Sequence, residues 1–255
     1  ISNGIVLVTL KSFNQNTTNS LSKKLEKARN LLGGNMKGLI LDLRGNPGGL
    51  LKQSVKVVDL LLTKGMIIST QGRHADSLHQ YEAGGRDLVL GLPVTVLLDG
   101  NSASAAEIVA AALQDRNRAV IIGTASFGKG SVQTILRLPN NGEITLTWSR
   151  LVTPSGYMFH GLGIRPEICT SGLTDNSKEI IRQVIDNHRE IVKTLASWRK
   201  VTQRNELQRT QLRKTCPSES RHEDLELNIA KHLITNPELY ARALNLSNNI
   251  NELKY

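Results

Sequence analysis

Two short segments without polar alternation constrain the fold of this chain most strongly. They cover residues 38–43 and 94–98, and each is followed by a turn and then by a helical pattern. Strands of this type are buried on both faces, as in a parallel sheet that helices cover. Further strand and helical patterns continue the alternation, at 5–10, 17–32, 50–62, 66–70, 105–114 and 120–122. The sequence therefore predicts an α/β core built from βαβ units.

The character of the chain changes after Pro166. From residue 175 onward the chain is charged, lacks glycine and carries apolar residues at helical spacing. We therefore expect two parts: a core over 1–170 and a helical extension of unknown role over 171–255. Within the core, the polar stretch 71–86 predicts a hairpin or flap, and two more strands are expected at 132–138 and 144–147.

Composition narrows the class of protein. The 255 residues are 39% hydrophobic and only 4% aromatic, which suits an aliphatic core and argues against a disordered chain. No apolar run approaches the ~18 residues that span a bilayer. The net charge of +10 favours acidic partners or peripheral contact with a membrane surface. The basic tract 199–214 is interleaved with polar residues instead of aromatic ones, so we expect a solvated helix and no nucleic-acid binding.

Neither the histidines nor the cysteines have the spacing of a metal site. The six histidines form no His-x-x-x-His pattern, and Cys169 and Cys216 form no Cys-x-x-Cys. No phosphate-binding glycine pattern is present either. We therefore expect no metal and no cofactor. Two cysteines are too few for a disulfide scaffold, but they could pair and join the tail to the core if the protein is exported.

Ser104 lies at the predicted start of the helix after strand 94–98, and two interpretations are open. Ser104 and Glu107 fit a capping box, which would make the serine structural. Alternatively, Ser104 is a nucleophile beside the unpaired N–H groups of a helix start, where the Ala105 N–H can face an oxyanion. Ser102 is a rival nucleophile that local chemistry hardly separates from Ser104.

Lys129 stands between two glycines in the turn after strand 120–122, an unusual place for a merely solvating lysine. A lysine can activate a serine if desolvation or a nearby cation makes it neutral. Gln133 could hold such a lysine by a hydrogen bond without adding negative charge. Alternatively, Lys129 is an ordinary solvated charge on the surface. A histidine-based triad is a further alternative, with His160 as the nearest candidate.

Gly48 and Gly49 follow strand 38–43 and have a structural and a functional interpretation. They suit the turn into the next helix after Pro47. They could also let a substrate carbonyl approach and supply a second oxyanion N–H. Since the carboxyl ends of parallel strands share one edge of a sheet, we expect these glycines, Ser104 and Lys129 to converge there.

Five sequence blocks resemble the carboxy-terminal processing proteases, also called tail-specific proteases. The blocks occur in the family's order over about residues 4–170, at 42–50, 102–108, 127–133, 153–156 and 163–167. The resemblance implies a crotonase-like α/β core of ββα units. It also implies Ser104 as the nucleophile in preference to Ser102, Lys129 as the general base and Gln133 as the residue that orients the lysine. Ala105 with Gly48 or Gly49 would form the oxyanion hole.

The implied function is a serine endopeptidase that cleaves near the C-termini of unfolded or tagged proteins through an acyl-enzyme. Its expected partners are protein or peptide substrates with apolar C-termini, and its expected location is the periplasm or another exported compartment. Family members usually carry a PDZ domain; this sequence contains none, and such a domain could have been cut away or could lie upstream of Ile1 in the full protein. The C-terminal helices could bind an adaptor or mediate self-association.

Two other functions stay open on the sequence. One is a non-catalytic module that binds a hydrophobic ligand or peptide on the same fold. The other is a crotonase-type acyl-thioester enzyme, although that chemistry has no use for a serine, a lysine and a glutamine together.

Overall fold

The computed structural model describes residues 1–174, 176–221 and 224–248. The strands are β1 (Ile5–Thr9), β2 (Gly38–Asp42), β3 (Gly65–Gln71), β4 (His79–Ala83), β5 (Val94–Leu98), β6 (Val120–Gly123), β7 (Ser131–Arg137), β8 (Glu143–Val152) and β9 (Ile168–Cys169). The helices are α1 (Thr17–Leu32), α2 (Leu51–Asp59), α3 (Ala105–Asp115), α4 (Ser177–Asp186), α5 (His188–Lys200), α6 (Glu206–Lys214), α7 (Leu225–Ile234) and α8 (Pro237–Leu244). The predicted α/β class and the C-terminal helices are confirmed.

A parallel sheet of five strands forms the centre, in the order β1-β2-β5-β6-β9. Its register pairs Leu39 of β2 with Val94 of β5, and Leu97 of β5 with Ile122 of β6. The carboxyl ends of β2, β5 and β6 therefore lie at one edge of the sheet. The turns 44–49, 99–104 and 124–130 follow those three ends, which places the three predicted turns side by side.

Helices cover both faces of the parallel sheet, which explains why its strands are apolar throughout. Leu39 and Leu41 point to one face and pack in the same cluster as buried residues of α1, α2 and α3. Ile40 points to the opposite face, where it packs with Ile229 and Leu233 of α7. The helical extension therefore forms the second layer over the sheet. The division of the chain at residue 170 stays a prediction, because core and extension share these apolar clusters.

A second sheet is antiparallel and has the order β4-β3-β8-β7. The hairpin expected at 71–86 is formed by β3 and β4, with residues 72–78 as its connection. Strands β7 and β8 make a longer hairpin whose outer side chains are unusually apolar. The exposed members are Ile135, Leu136, Ile144, Leu146 and Trp148.

A disulfide and a buried tryptophan attach the helical extension to the core. Cys169 at the end of β9 forms a disulfide with Cys216, which follows α6. Trp198 of α5 is buried and donates its indole N–H to Gly163 O at 3.0 Å. Within the residues that the structure describes, no helix is both long and apolar enough to cross a membrane.

Candidate active site

Ser104 occupies a strained turn between β5 and α3. Its φ of 55° and ψ of −112° lie in a region that residues other than glycine rarely adopt. Such a conformation costs on the order of 1–3 kcal/mol and persists only where the surroundings impose it. Two hydrogen bonds brace this turn: Ala103 N–H donates to Asn46 O at 2.9 Å, and Phe127 N–H donates to Ser102 O at 3.0 Å. Neighbouring turns thus hold the half-buried Ser104 at the helix start.

Ser102 is fully buried, and its hydroxyl group is committed to the fold. Its Oγ lies 2.9 Å from Leu43 O and 3.0 Å from Asp99 Oδ1, and it accepts the Asp99 N–H at 3.0 Å. A buried hydroxyl with this set of partners is a structural group. Burial therefore separates the two serines that local sequence chemistry leaves undecided, and it favours Ser104 as the reactive one.

Gly48 lies against the Ser104 turn so closely that a side chain does not fit. A Cβ on Gly48 would lie 2.8 Å from Ser104 Cβ and 3.0 Å from Ala105 N. The Gly48 N–H already donates to Asn46 Oδ1 at 2.8 Å. Within the described parts of the chain, the N–H groups of Ala105 and Gly49 have no acceptor. These two N–H groups are therefore unpaired in this conformation.

Glu107 is a buried carboxylate that joins the Ser104 turn to the Lys129 turn, and sequence reasoning assigned it only a capping role. Its Oε2 accepts the Ser104 N–H and the Lys129 N–H, both at 2.8 Å. Its Oε1 accepts the Gly128 N–H at 2.6 Å and the Ser126 hydroxyl. Burial raises the pKa of Glu107 above its ordinary value, although these four hydrogen bonds favour the carboxylate. The sequence signal was the Ser104–Glu107 spacing, which does not reveal the contacts with residues 126–129.

The side chains of Lys129 and Gln133 are exposed. Lys129 lies in the turn before β7, and Gln133 lies on β7 next to an irregularity of the β7–β8 register. In the described residues, neither side chain makes a hydrogen bond or an ion pair. The structure therefore brings the Ser104 and Lys129 turns together through Glu107, but it shows no hydrogen bond between Lys129 Nζ and Ser104 Oγ. The residues described here do not supply the desolvation expected of a basic lysine.

His160 borders the lysine turn. A Cβ on Gly130 would lie 2.8 Å from the His160 backbone nitrogen, and the Gly161 N–H donates to Gly128 O at 2.7 Å. Burial, Arg150 and Arg209 lower the pKa of His160. No hydrogen bond joins His160 to Ser104 in the described part of the chain, so the geometry does not favour the histidine triad.

A segment after α6, residues 216–221, crosses the carboxyl ends of β5 and β6. Glu219 O accepts the Gly100 N–H at 2.7 Å and the Thr124 hydroxyl at 2.9 Å. The Arg221 N–H donates to Asp99 Oδ2 at 3.2 Å. This crossing segment therefore braces the turn that carries Ser104 and the turn that carries Lys129. The sequence offered no signal for it beyond the two cysteines.

Comparison with known proteins identifies the family of the chain. A sequence model described as "Peptidase family S41" matches residues 4–170. The chain is 54% identical over 133 residues to a carboxy-terminal-processing protease of Bartonella bacilliformis, covering 52% of this chain and 31% of that protein. It is 34% identical over 166 residues to the carboxy-terminal processing protease CtpA of Bacillus subtilis, covering 65% of this chain and 35% of that protein. The chain thus spans about a third of the length of these curated relatives.

Solved structures show the same fold. The photosystem II D1 C-terminal processing protease aligns with a TM-score of 0.58 and 32% identity, covering 64% of this chain and 41% of that one. Mature CPAF aligns with a TM-score of 0.53 at 14% identity, covering 64% of this chain and 46% of that one, and this likeness concerns the fold alone. The family match over well over half of the residues, together with the shared fold, shows that the chain belongs to peptidase family S41.

Proposed function

We propose that this chain carries the catalytic core of a serine endopeptidase that cleaves near the C-termini of unfolded or tagged proteins. The observation that carries the proposal is the strained, half-buried Ser104, held beside the Lys129 turn by one buried carboxylate. The family membership and the printed names of the relatives support the same reaction class.

The proposed reaction begins when Lys129, in its neutral form, takes the proton of the Ser104 hydroxyl. Ser104 Oγ then bonds to the scissile carbonyl carbon, and the carbonyl oxygen becomes an oxyanion. The N–H groups of Ala105 and Gly49 are available to stabilise that charge, and a donor of this kind contributes about 10²–10³-fold in kcat. Lys129 next gives its proton to the leaving amine as the peptide bond breaks. Water hydrolyses the acyl-enzyme by the same steps.

Substrate binding has a defined task in this proposal. Lys129 is exposed to solvent in the free protein. A polypeptide that lies over the turn removes water from Lys129 and brings Gln133 into hydrogen-bond range. The lysine thereby becomes a base only when a substrate is present.

The proposed location rests on the disulfide, and the proposed partners rest on the family membership. The Cys169–Cys216 disulfide supports an exported compartment such as the periplasm, because disulfides persist in oxidising surroundings. Polypeptides with apolar C-termini are the proposed substrates. An adaptor, self-association through the C-terminal helices, and peripheral membrane contact stay predictions.

The test measures cleavage of an unfolded protein with an apolar C-terminus by the full-length protein. Ser104→Ala and Lys129→Ala are expected to lower kcat by at least about 10³-fold, since removal of a nucleophile or its base removes the covalent route. Ser20→Ala and Lys24→Ala, at exposed positions on α1, are the matched controls and are expected to retain full activity. Undiminished cleavage by Ser104→Ala, or an inert wild type, would contradict the proposal.

A further inference from the structure

A basic pocket lies beside the Lys129 turn, between β8, the loop at residues 160–161 and α6. Its volume is about 440 Å³. Three arginines line it: Arg150 from β8, and Arg209 and Arg213 from α6. Glu206 is the single carboxylate among its lining residues. The pocket therefore carries an excess of positive charge that its own walls do not neutralise.

The positively charged side chains in the basic pocket repel one another. Burial lowers the pKa of Arg209, and the neighbouring Arg213 lowers it further, while Glu206 acts in the opposite direction. Burial also lowers the pKa of His160, with added contributions from Arg150 and Arg209. Like charges held together without a counter-ion cost free energy, and an anion in the pocket would recover it.

Polar groups of the basic pocket are left without hydrogen-bond partners. Arg209 is only 7% exposed, and its Nη2 donates to His160 O. Within the described residues, Arg209 Nη1 has no hydrogen-bond partner, and neither has His160 Nδ1. Arg150 makes no side-chain hydrogen bond there either. An unpaired buried donor on a charged group is expensive, so this arrangement suits an acceptor that comes from outside the chain.

Hydrogen bonds join the walls of the basic pocket to the segment before Lys129. Arg213 Nη1 donates to Leu162 O at 2.6 Å and to Ser126 O at 3.2 Å, three residues before Lys129. The Gly161 N–H binds Gly128 O at 2.7 Å. These contacts place the basic pocket next to the segment that carries Lys129.

We propose that the basic pocket binds a carboxylate of the polypeptide substrate and so fixes which bond lies over Ser104. This inference rests on the proposed peptidase function. Arginine matches a carboxylate because its planar guanidinium offers parallel N–H donors to both oxygens. The carboxylate has two possible sources, the C-terminus of the chain being cut or an acidic side chain near it.

Binding to the full-length Ser104→Ala variant tests the inference without cleavage. Three fluorescent peptides of one apolar sequence are compared: one with a free C-terminus, one with a C-terminal amide, and one amide with a glutamate near its end. At least one of the two peptides that carry a carboxylate is expected to bind about tenfold more tightly than the neutral amide peptide. A gain of this size corresponds to one charged, hydrogen-bonded pair. The peptide that gains affinity identifies the source.

Charge variants locate the effect in the basic pocket. Arg150→Gln removes a cation and is expected to abolish the preference for the carboxylate peptide. Glu206→Gln removes a competing anion and is expected to strengthen that preference. A gain of affinity cannot arise from misfolding. Arg182→Gln, exposed on α4 and outside the pocket, is the matched control. In the active protein, Arg150→Gln should raise KM about tenfold with kcat nearly unchanged.

The outcomes separate the two proposals. Ser104-dependent cleavage with equal binding of all three peptides would overturn the basic pocket as a carboxylate site and leave the peptidase intact. Equal preference in wild type and Arg150→Gln would overturn it as well. Carboxylate-selective binding that Arg150→Gln removes, in a protein that cleaves nothing, would support the site and refute the peptidase.

Discussion

At the scale of the residue, Glu107 shows how one side chain can organise a site. Each of its carboxylate oxygens accepts two hydrogen bonds, and the donors come from both turns that would carry the reaction. The sequence suggested only the contact with Ser104, because a capping box is a local pattern. The contacts with residues 126–129 depend on the pairing of β5 with β6, which is a long-range feature.

Replacing Glu107 by glutamine should loosen both turns. The amide would place an NH₂ group against two N–H or O–H donors, so we expect a loss of about 1–3 kcal/mol in the free energy of unfolding and a lower kcat. Urea unfolding and peptide cleavage measure the two effects. Glu26→Gln, at an exposed site on α1, is the control and should change neither. Unchanged stability and kcat in the Glu107 variant would contradict the role of this carboxylate.

The carboxyl group of Glu107 also makes the free energy of unfolding depend on pH. Burial raises its folded pKa above the ordinary value of 4.5, so its contribution to stability is fully present below 4.5 and is lost as pH rises through the folded pKa. The difference in unfolding free energy between wild type and Glu107→Gln is therefore expected to be larger at pH 4.5 than at pH 8. Urea titrations at both values measure it. A difference that grows toward pH 8 would refute the assigned direction.

Ser102 and Ser104 should respond to substitution in opposite ways. Ser102→Ala removes a buried hydroxyl that binds Asp99, and we expect it to lower the free energy of unfolding by about 1–3 kcal/mol. Ser104→Ala should cost less stability than Ser102→Ala, since Ser104 is only half-buried. A serine-reactive phosphonate should label wild type and Ser102→Ala, but not Ser104→Ala. Loss of labelling in a folded Ser102→Ala protein would reverse the assignment.

At the scale of the element, the strands and helices of the core followed closely from the sequence. The unbroken apolar runs of β2 and β5 predicted a sheet buried on both faces, and the structure confirms it. The three turns that were predicted to form the site also lie at one edge, as parallel strands require. The sequence could not show the orientation of Lys129 and Gln133, because it depends on how the exposed β7–β8 hairpin sits beside the sheet.

The disulfide between Cys169 and Cys216 anchors the crossing segment. It closes a loop with a sequence separation of 47, so its loss should lower the free energy of unfolding by about 2–4 kcal/mol. Urea unfolding of wild type with and without a thiol reductant measures this loss. The double variant Cys169→Ser, Cys216→Ser should match reduced wild type and show no response to reductant. Equal stability of oxidised and reduced wild type would contradict an anchoring role.

At the scale of the whole molecule, the helical extension is the second layer of the fold. The sequence predicted its helices but not their place, since an apolar strand face shows only that something covers it. The structure supplies the cover from α4, α7 and α8, which pack on Ile40, Leu97 and Ile122. A surface of this kind, uncovered, would expose a contiguous apolar patch.

Two leucines test this layer with the same chemical change. Leu233 of α7 is fully buried against the sheet, and Leu207 of α6 is 73% exposed. Leu233→Ala should lower the free energy of unfolding by about 2–5 kcal/mol, through lost burial and the cavity left behind. Leu207→Ala should change it by less than about 0.5 kcal/mol. Urea unfolding compares them, and similar losses in both variants would refute the assigned packing of α7.

The crossing segment also sets an order of events during synthesis. Ser104 and Lys129 leave the ribosome long before Glu219 and Arg221, whose backbone groups brace their turns. A nascent chain that has just completed the five parallel strands therefore still lacks these braces. The two turns gain these hydrogen bonds only after residues 216–221 have been synthesised and have packed against the edge of the sheet. In the proposed peptidase, the turns that carry Ser104 and Lys129 are therefore fully braced only after the crossing segment has been translated.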